Sequence, residues 1–583
     1  MEVYMNTKDF SLSKRERRRK IRLLVYFIII LMAAALSGIY LLSSPGVSAR
    51  AQEPLWQEVA SAPFEAIRTA RQSHTVPEHY RAFQLNESAL TSLLANAPME
   101  FTEAAKDPQT EIALPMPDGA FARFRFVESP IMEPMLAAQF PEIKTYRGWS
   151  IDDPTVTMRF ARTSSGFHAI VLSPEGAAYV APLYQGDTRI HASYFTRDAS
   201  GDDGALCVVK DKNHANSKSD SKARDKSSVT LDLRPYYTAR TFRLAVAATA
   251  EYTSFFGGTV TGAMNNGIVP TVNNVTAIYQ RELSISFTLV ANNSSIVFTD
   301  PVADGYTSGN LNQLLDENQE KIDRVIEEDN YDIGHVFDMS SAGGVANLGV
   351  VCNNGDKAKG VSTSSSPTGT AFDLRVAHEF GHQFNANHTF NGTMSGCGTP
   401  DQLNEDTAYE PGSGSTIMSY AGRCGSDDIQ SFRNPYFLWQ SLAAIADYLE
   451  GDTDCATTTE NGNNTPPTVT LSPLQAEYHI PSGTPFALTA SATDAEDTNL
   501  TYCWEEADHG SPGPPTGDRV DNPLFRSFGP TTNPTRTFPR LSDLLNNTTT
   551  PGETLPTTER WMNFVITARD NHTPGGTFAQ VGA

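Results

Sequence analysis

Positive charge is what this chain is short of. Its 583 residues carry 44 lysines and arginines against 67 aspartates and glutamates, a formal net charge of −23. Such an acidic balance repels phosphate backbones and excludes nucleic acid as a partner. The imbalance downstream is larger still, because Lys14, Arg15, Arg17–Lys20 and Arg22 gather basic charge at the extreme N-terminus. That suits a soluble protein facing the outside. Simple internal repeats are absent, which excludes a solenoid or propeller array. No aspartate-rich loop has the spacing of a calcium site, so Ca2+, although compatible with an acidic exported chain, is assigned to no residue. The chain is too long for one core, and three or four folded units are expected.

The basic N-terminal cluster precedes an apolar run at residues 23–42 and the small-residue stretch ProGlyValSerAlaArgAla at 45–51. Together they read as an export signal in residues 1–51. The run is long enough to span a bilayer, so two readings stand. One is a signal cleaved beside Val47 and Ala49 or Ala49 and Ala51; the other is an anchor retained through residues 23–42. Either way the chain is exported, extracellular or at the cell surface, and meets a membrane only through this segment. Six cysteines in an exported chain predict disulfides. Cys352, Cys397, Cys424 and Cys455 share one region and allow three pairings, while Cys207 and Cys503 each stand alone in theirs.

Residues 52–209 read as an α/β unit, with strand-like runs at 121–127 and 167–172. Residues 210–237 follow as a charged, serine-rich linker that cannot bury enough apolar surface to order itself and exposes many Lys and Arg peptide bonds. A maturation cut there would make 52–209 a prodomain. Residues 238–456 open with a strand at 243–248 and continue with a helix ending near Leu283 and a strand at 284–291. Leu311, Leu315, Ile322, Val325 and Ile326 then mark an amphipathic helix. A buried strand at 331–339 follows, in which His335 is a satisfied core histidine. After a polar linker at 457–466, runs at 468–471, 486–493, 500–505 and 561–570 predict an all-β, Ig-like sandwich over 467–583, with Trp504 in its core. The chain stops soon after the last of these runs, so the module is read as truncated.

The chemistry concentrates between His378 and His388. On a helix, His378 and His382 project from one face, one turn apart, and can grip one ion. Glu379 is rotated away from the ligands towards the ion's open side, which suits a general base. The third imidazole, His388, must come from beyond a sharp bend. Asn385 sits at that bend and is, after glycine, the residue most tolerant of a left-handed backbone. Three nitrogens leave zinc a fourth position for a water, whose pKa falls towards about 7, and Glu379 would take the proton from it. Asp373 is the expected N-cap of this helix, and Leu374, Ala377, Phe380 and Phe384 its inward face.

The run resembles the extended zinc motif of the metzincin clan, followed by its methionine turn, and within the clan it is most like bacterial secreted reprolysin-like peptidases. The resemblance covers about Arg240 to Cys455, including the GlyGlyValAlaAsnLeuGly run at 343–349 and TyrGluProGlySerGlySerThrIleMet at 409–418. Two positions depart from the pattern, Asn385 for glycine and Thr389 where animal reprolysins carry aspartate. The resemblance implies an α+β catalytic domain of mixed twisted sheet with an active-site helix, one catalytic Zn2+ on His378, His382 and His388, and Met418 as an apolar floor. It also implies a substrate-binding edge strand at Gly344, Val345, Ala346, Asn347 and Leu348. Tyr420 matches a tyrosine that hydrogen-bonds the developing oxyanion in related branches, against the alternative of a packed tyrosine. The favoured disulfide is Cys397 with Cys424, which would clamp the loop before the methionine turn.

Cys207 has two readings: a thiolate that fills the zinc's open position and silences a zymogen, or a merely buried thiol. The expected function is a secreted zinc endopeptidase acting on proteins or peptides, its C-terminal module binding a surface or matrix. The alternatives are an exported adhesion protein on the same scaffold without activity, which would have no need of Glu379, and a metal-dependent hydrolase of other bonds.

Overall fold

Alternation along one strand divides the centre of the molecule into layers. In Ala239–Ala248 of the computed structural model, Leu244, Val246 and Ala248 point into one apolar cluster and Ala245 and Ala247 into another. A strand buried on both faces reads as a continuous apolar run, and this one does. The structure describes residues 54–59, 77–184, 187–199, 206–210, 238–341, 343–451, 453–459, 464–471, 478–573 and 575–583. The signal or anchor at 1–51 and linker residues 211–237 lie outside them. No helix among the described residues is long and apolar enough to cross a membrane.

The central sheet runs in the order Leu206–Lys210, Gly343–Asn347, Gly360–Thr363, Ile333–Asp338, Ala239–Ala248, Ile285–Leu289, with Thr457–Thr459 pairing antiparallel to the start of Ala239–Ala248. It is mixed: Gly343–Asn347 is antiparallel to Gly360–Thr363, and the next three pairings are parallel. One face carries the amphipathic helix Leu311–Val325 through Leu314, Leu315 and Ile322. The other carries helix Val269–Leu283 and helix Thr370–Gln383, which packs Leu374, Ala377 and Phe380 inward, with Phe384 just beyond its end. His335 is fully buried and bonded at both ring nitrogens, to Gln383 Oε1 and Ser362 Oγ, each at 2.9 Å. Burial pushes it down to about 4, as for a neutral core histidine.

The region before the central sheet was expected as α/β, but its described part is almost wholly strand. Nine antiparallel strands from Trp56 to Phe195 form one sheet, with α-helices only at Glu87–Leu94 and Pro134–Gln139 and a 3-10 turn at Glu103–Ala105. Period-two alternation explains it. Ala169 and Val171 enter one core with Phe124, Phe126 and Phe160, while Ile170 and Leu172 enter the core shared with helix Val269–Leu283. Arg159 crosses that second junction fully buried, donating to Asn273 Oδ1 and Gln280 Oε1 at 2.9 Å and to Ser129.

Beyond the central sheet, Thr468–Leu471, Phe486–Thr493 and Thr535–Phe538 form one antiparallel sheet and Thr501–Glu506, Phe564–Arg569 and Phe578–Gly582 another. Phe486 and Phe538 of the first share a core with Trp504, Phe564 and Ile566 of the second. These sheets are docked onto the unit built around the central sheet. Arg569 meets Glu282 at 2.8 Å with both side chains buried, and Glu505 Oε2 accepts the Trp439 backbone N–H at 2.9 Å. The disulfides join Cys352 with Cys455 and Cys397 with Cys424; Cys207 and Cys503 are free and buried.

Candidate metal centre

Helix Thr370–Gln383 begins after Gly369, whose φ of 76° turns the chain into it, so Asp373 is not its cap. Asp373 lies in the first turn, fully buried, accepting Asn274 Nδ2 at 2.8 Å, and burial pushes it up to about 7. The helix ends where the motif needs a bend. Asn385 adopts φ 74°, and the following amide of Ala386 donates back to the Gly381 carbonyl at 2.8 Å. That reversal brings His388 beside His378 and His382.

All three imidazoles are held through Nδ1. His378 Nδ1 bonds the Ile417 carbonyl at 2.7 Å, His382 Nδ1 the Ala386 carbonyl at 2.7 Å, and His388 Nδ1 the Gln402 carbonyl at 2.6 Å. A carbonyl only accepts, so each Nδ1 carries the proton and each Nε2 a lone pair. Burial is the largest cause lowering all three, His382 to about 4, which keeps the rings neutral. The Nε2 atoms nonetheless converge, at 3.1 Å for His378 and His382, 3.3 Å for His378 and His388, and 3.2 Å for His382 and His388. Three lone pairs without a proton between them repel unless a cation sits among them. A tetrahedral zinc with bonds of about 2.0–2.1 Å needs nitrogens about 3.3 Å apart, so the donor set fits that ion.

Cys207 stands at the fourth corner. Its Sγ is 3.5 Å from His382 Nε2 and 3.3 Å from Glu379 Oε2, and the four ligand atoms of Cys207, His378, His382 and His388 lie within 4.8 Å of one another. A sulfur bound at about 2.3 Å would lie about 3.6 Å from the nitrogens. Leu206–Lys210 runs parallel to Gly343–Asn347 with Cys207 opposite Gly344, so the strand read as an open edge has a partner; Leu348 lies just past its end. Burial first, then Glu379, raises the Cys207 thiol; a metal would reverse this, because coordination deprotonates a thiol.

Glu379 is fully buried, and its Oε1 has no hydrogen-bond partner. A Cβ on Gly344 would lie 2.0 Å from that oxygen, so the carboxylate fits only because residue 344 has no side chain. Burial pushes Glu379 up to about 8, opposed by the Cys207 hydrogen bond and by Arg433 and Arg375. Met418 lies under the helix, its sulfur 2.4 Å from where a Cβ on Gly381 would stand. The Tyr420 hydroxyl meets the Cys207 carbonyl and, at 2.5 Å, the Gln402 side-chain amide. A phenol has one proton to give, so Gln402 turns its N–H towards Tyr420 when that proton goes to Cys207.

Glu410 escaped the sequence reading. Its buried carboxylate accepts Thr389 Oγ1 at 2.6 Å and Thr416 Oγ1 at 2.5 Å on Oε1, and the Ser415 amide at 2.6 Å on Oε2. It thereby ties the residue after His388 to the segment that carries Met418. The signal was an acid inside an otherwise polar, glycine-rich run, which spacing alone does not single out. Glu410→Ala would strand several buried donors at about 1–3 kcal/mol each. The expected outcome is a lower melting temperature and metal affinity weaker by about 10–100-fold, measured by chelator competition. An unchanged affinity would take Glu410 out of the site.

A family model described as metallo-peptidase family M12B, reprolysin-like, matches residues 238–446, a span that includes the three histidines, Glu379, Met418 and Tyr420. A comparison with curated proteins returns no match. The match and the converging donors agree: residues 238–446 are similar to the reprolysin-like M12B metallopeptidases, and their histidine cluster is consistent with a zinc site.

Proposed function

We propose that this chain is the latent precursor of an exported zinc endopeptidase. The observation that carries the reading is the convergence of three Nε2 lone pairs with a cysteine sulfur completing the tetrahedron. His378, His382 and His388 would hold the ion, and zinc bound there polarises a peptide carbonyl and acidifies water. Glu379, pressed against Gly344 with Oε1 unbonded, takes the proton of the attacking water and passes it to the departing amine. Tyr420, whose hydroxyl meets a peptide carbonyl in the cleft, donates to the oxygen that gains charge. An extended substrate adds as a strand along Gly343–Asn347, binding mainly through backbone.

Latency follows from the same geometry. Leu206–Lys210 occupies the strand position that a substrate needs, and Cys207 occupies the corner that water needs. A cut within 211–237 separates this strand from the catalytic domain's own chain. Residues 52–209 then act as a prodomain, and the two C-terminal sheets form an Ig-like module. The two disulfides are compatible with the extracellular location that the N-terminal signal implies.

Removing the metal tests the core of the reading. The purified chain, cut with trypsin in the linker, should degrade casein, lose that activity to a chelator, and regain it with stoichiometric zinc. Activity indifferent to chelation would overturn the assignment.

A further inference from the structure

One buried charge beside the catalytic residues has no task in that chemistry. Arg433 is 8% exposed, and its Nε donates to the Ser419 carbonyl at 3.0 Å, between Met418 and Tyr420. A guanidinium has five N–H donors, and this bond uses one. Among the described residues no carboxylate lies within ion-pair distance of Arg433, and no other acceptor meets it.

Other buried arginines each meet a carboxylate or several neutral acceptors, although Arg569 leaves its Nε and Nη1 unbonded. Arg569 meets Glu282 at 2.8 Å, Arg560 meets Asp518 at 3.3 Å, and Arg159 has neutral acceptors in Asn273, Gln280 and Ser129. Arg375, one turn before His378, donates to the Thr363 carbonyl. The amino groups of Arg433 are not among the sealed polar atoms left without a partner, so they reach solvent and stand open to an anion that arrives from outside. The strand in the cleft does not supply one, since LeuCysValValLys at 206–210 has no carboxylate.

The position fits a substrate contact. Arg433 holds the carbonyl just before Tyr420, whose ring lies 4.5 Å from that of His388 and whose hydroxyl meets the Cys207 carbonyl, so it flanks the reacting groups. A protein of net charge −23 repels acidic peptides in general. Accepting one therefore requires a local cation, and arginine binds carboxylates through two parallel N–H bonds.

We infer that Arg433 is the receptor for a substrate carboxylate beside the bond to be cleaved, making acidic peptides the preferred substrates. The inference rests on the peptidase reading. The carboxylate has two sources, an Asp or Glu side chain or a free C-terminus, and peptides with blocked ends separate them.

The test uses the zinc-loaded full chain cut within 211–237 and a set of peptides carrying acidic, amide or basic residues at each position. Cleavage sites are read by mass spectrometry. Blocked peptides with Asp or Glu at one fixed position beside the cut should be favoured over their Asn or Gln twins by at least about 10²-fold. Arg433→Met should erase that ratio, and Arg433→Glu should move the preference to Lys and Arg. A preference seen only with unblocked C-termini would assign the carboxylate to the terminus. Absence of any acidic preference, or one untouched by Arg433→Met, overturns the inference.

A binding arm keeps the two readings apart. In the Cys207→Ser, Glu379→Ala double variant, cut the same way, the Asp peptide should bind at least about 10-fold tighter than its Asn twin by fluorescence anisotropy, and adding Arg433→Met should level them. Equal binding overturns the receptor even if hydrolysis occurs. A binding difference without hydrolysis by the unaltered protein overturns the peptidase reading and supports the receptor. Metal content and melting temperature of Arg433→Met and Arg433→Lys identify a variant that fails to fold.

Discussion

Glu379→Ala is expected to lower kcat/KM on peptide substrates by about 10²–10⁴-fold while leaving the zinc content unchanged. The two halves of that result have separate physical causes. Zinc would be held by three imidazoles whose orientation is set by the carbonyls of Ile417, Ala386 and Gln402, and none of these bonds involves Glu379. Removing the carboxylate therefore leaves the donors in place. The rate falls because, among the described residues, Glu379 is the carboxylate that meets the Cys207 sulfur, and no carboxylate is a member of the histidine cluster itself to replace it. Burial, which lifts Glu379 to about 8, makes it a stronger base than a surface carboxylate, although the charge of a bound dication pulls it back down. Glu379→Gln preserves the shape against Gly344 and should be about as impaired. Zinc lost together with activity would mean that Glu379 holds the site together. Activity that survives would place the hydrolysis elsewhere and favour an inactive scaffold.

The second large effect concerns latency. In the uncut zinc-loaded precursor, Cys207→Ser should raise kcat/KM on a small peptide by about 10²-fold, because a serine hydroxyl cannot replace a thiolate as zinc ligand and the open-site population grows accordingly. The gain stays below that of full processing, since Leu206–Lys210 still pairs with Gly343–Asn347. Thiol chemistry supplies an independent readout. Cys207, 5% exposed and beside the three histidines, should resist alkylation in the zinc-loaded precursor and react after chelation and loosening of the strand. A Cys207→Ser precursor as silent as the parent would leave strand occlusion alone as the cause of latency.

Much of the centre is legible locally. Four-residue spacing on a helix suffices to aim His378 and His382 together, and their Nε2 atoms are 3.1 Å apart. Asparagine's tolerance of a left-handed backbone suffices for the bend, and Asn385 has φ 74°. Other features misled or stayed silent. Asp373 looks like a cap because caps favour aspartate, yet Gly369 starts the helix earlier and buries Asp373 against Asn274. Residues 52–209 look mixed because short amphipathic stretches fit either period, and pairing along one long sheet decided for strands. Glu410 and Arg433 carried no spacing signal, because each works through groups brought near by the fold.

The residues alone marked out the candidate ligands, the candidate base, the bend and the cysteines able to pair, since these depend on helix pitch, backbone sterics and side-chain chemistry over a few positions. Only the tertiary structure decided that Cys207, 172 residues before Glu379, lies 3.3 Å from it, and that Arg433 shares their surroundings. Such meetings are set by how sheets and helices bury their apolar faces against one another, which is a property of the assembled core and not of any segment.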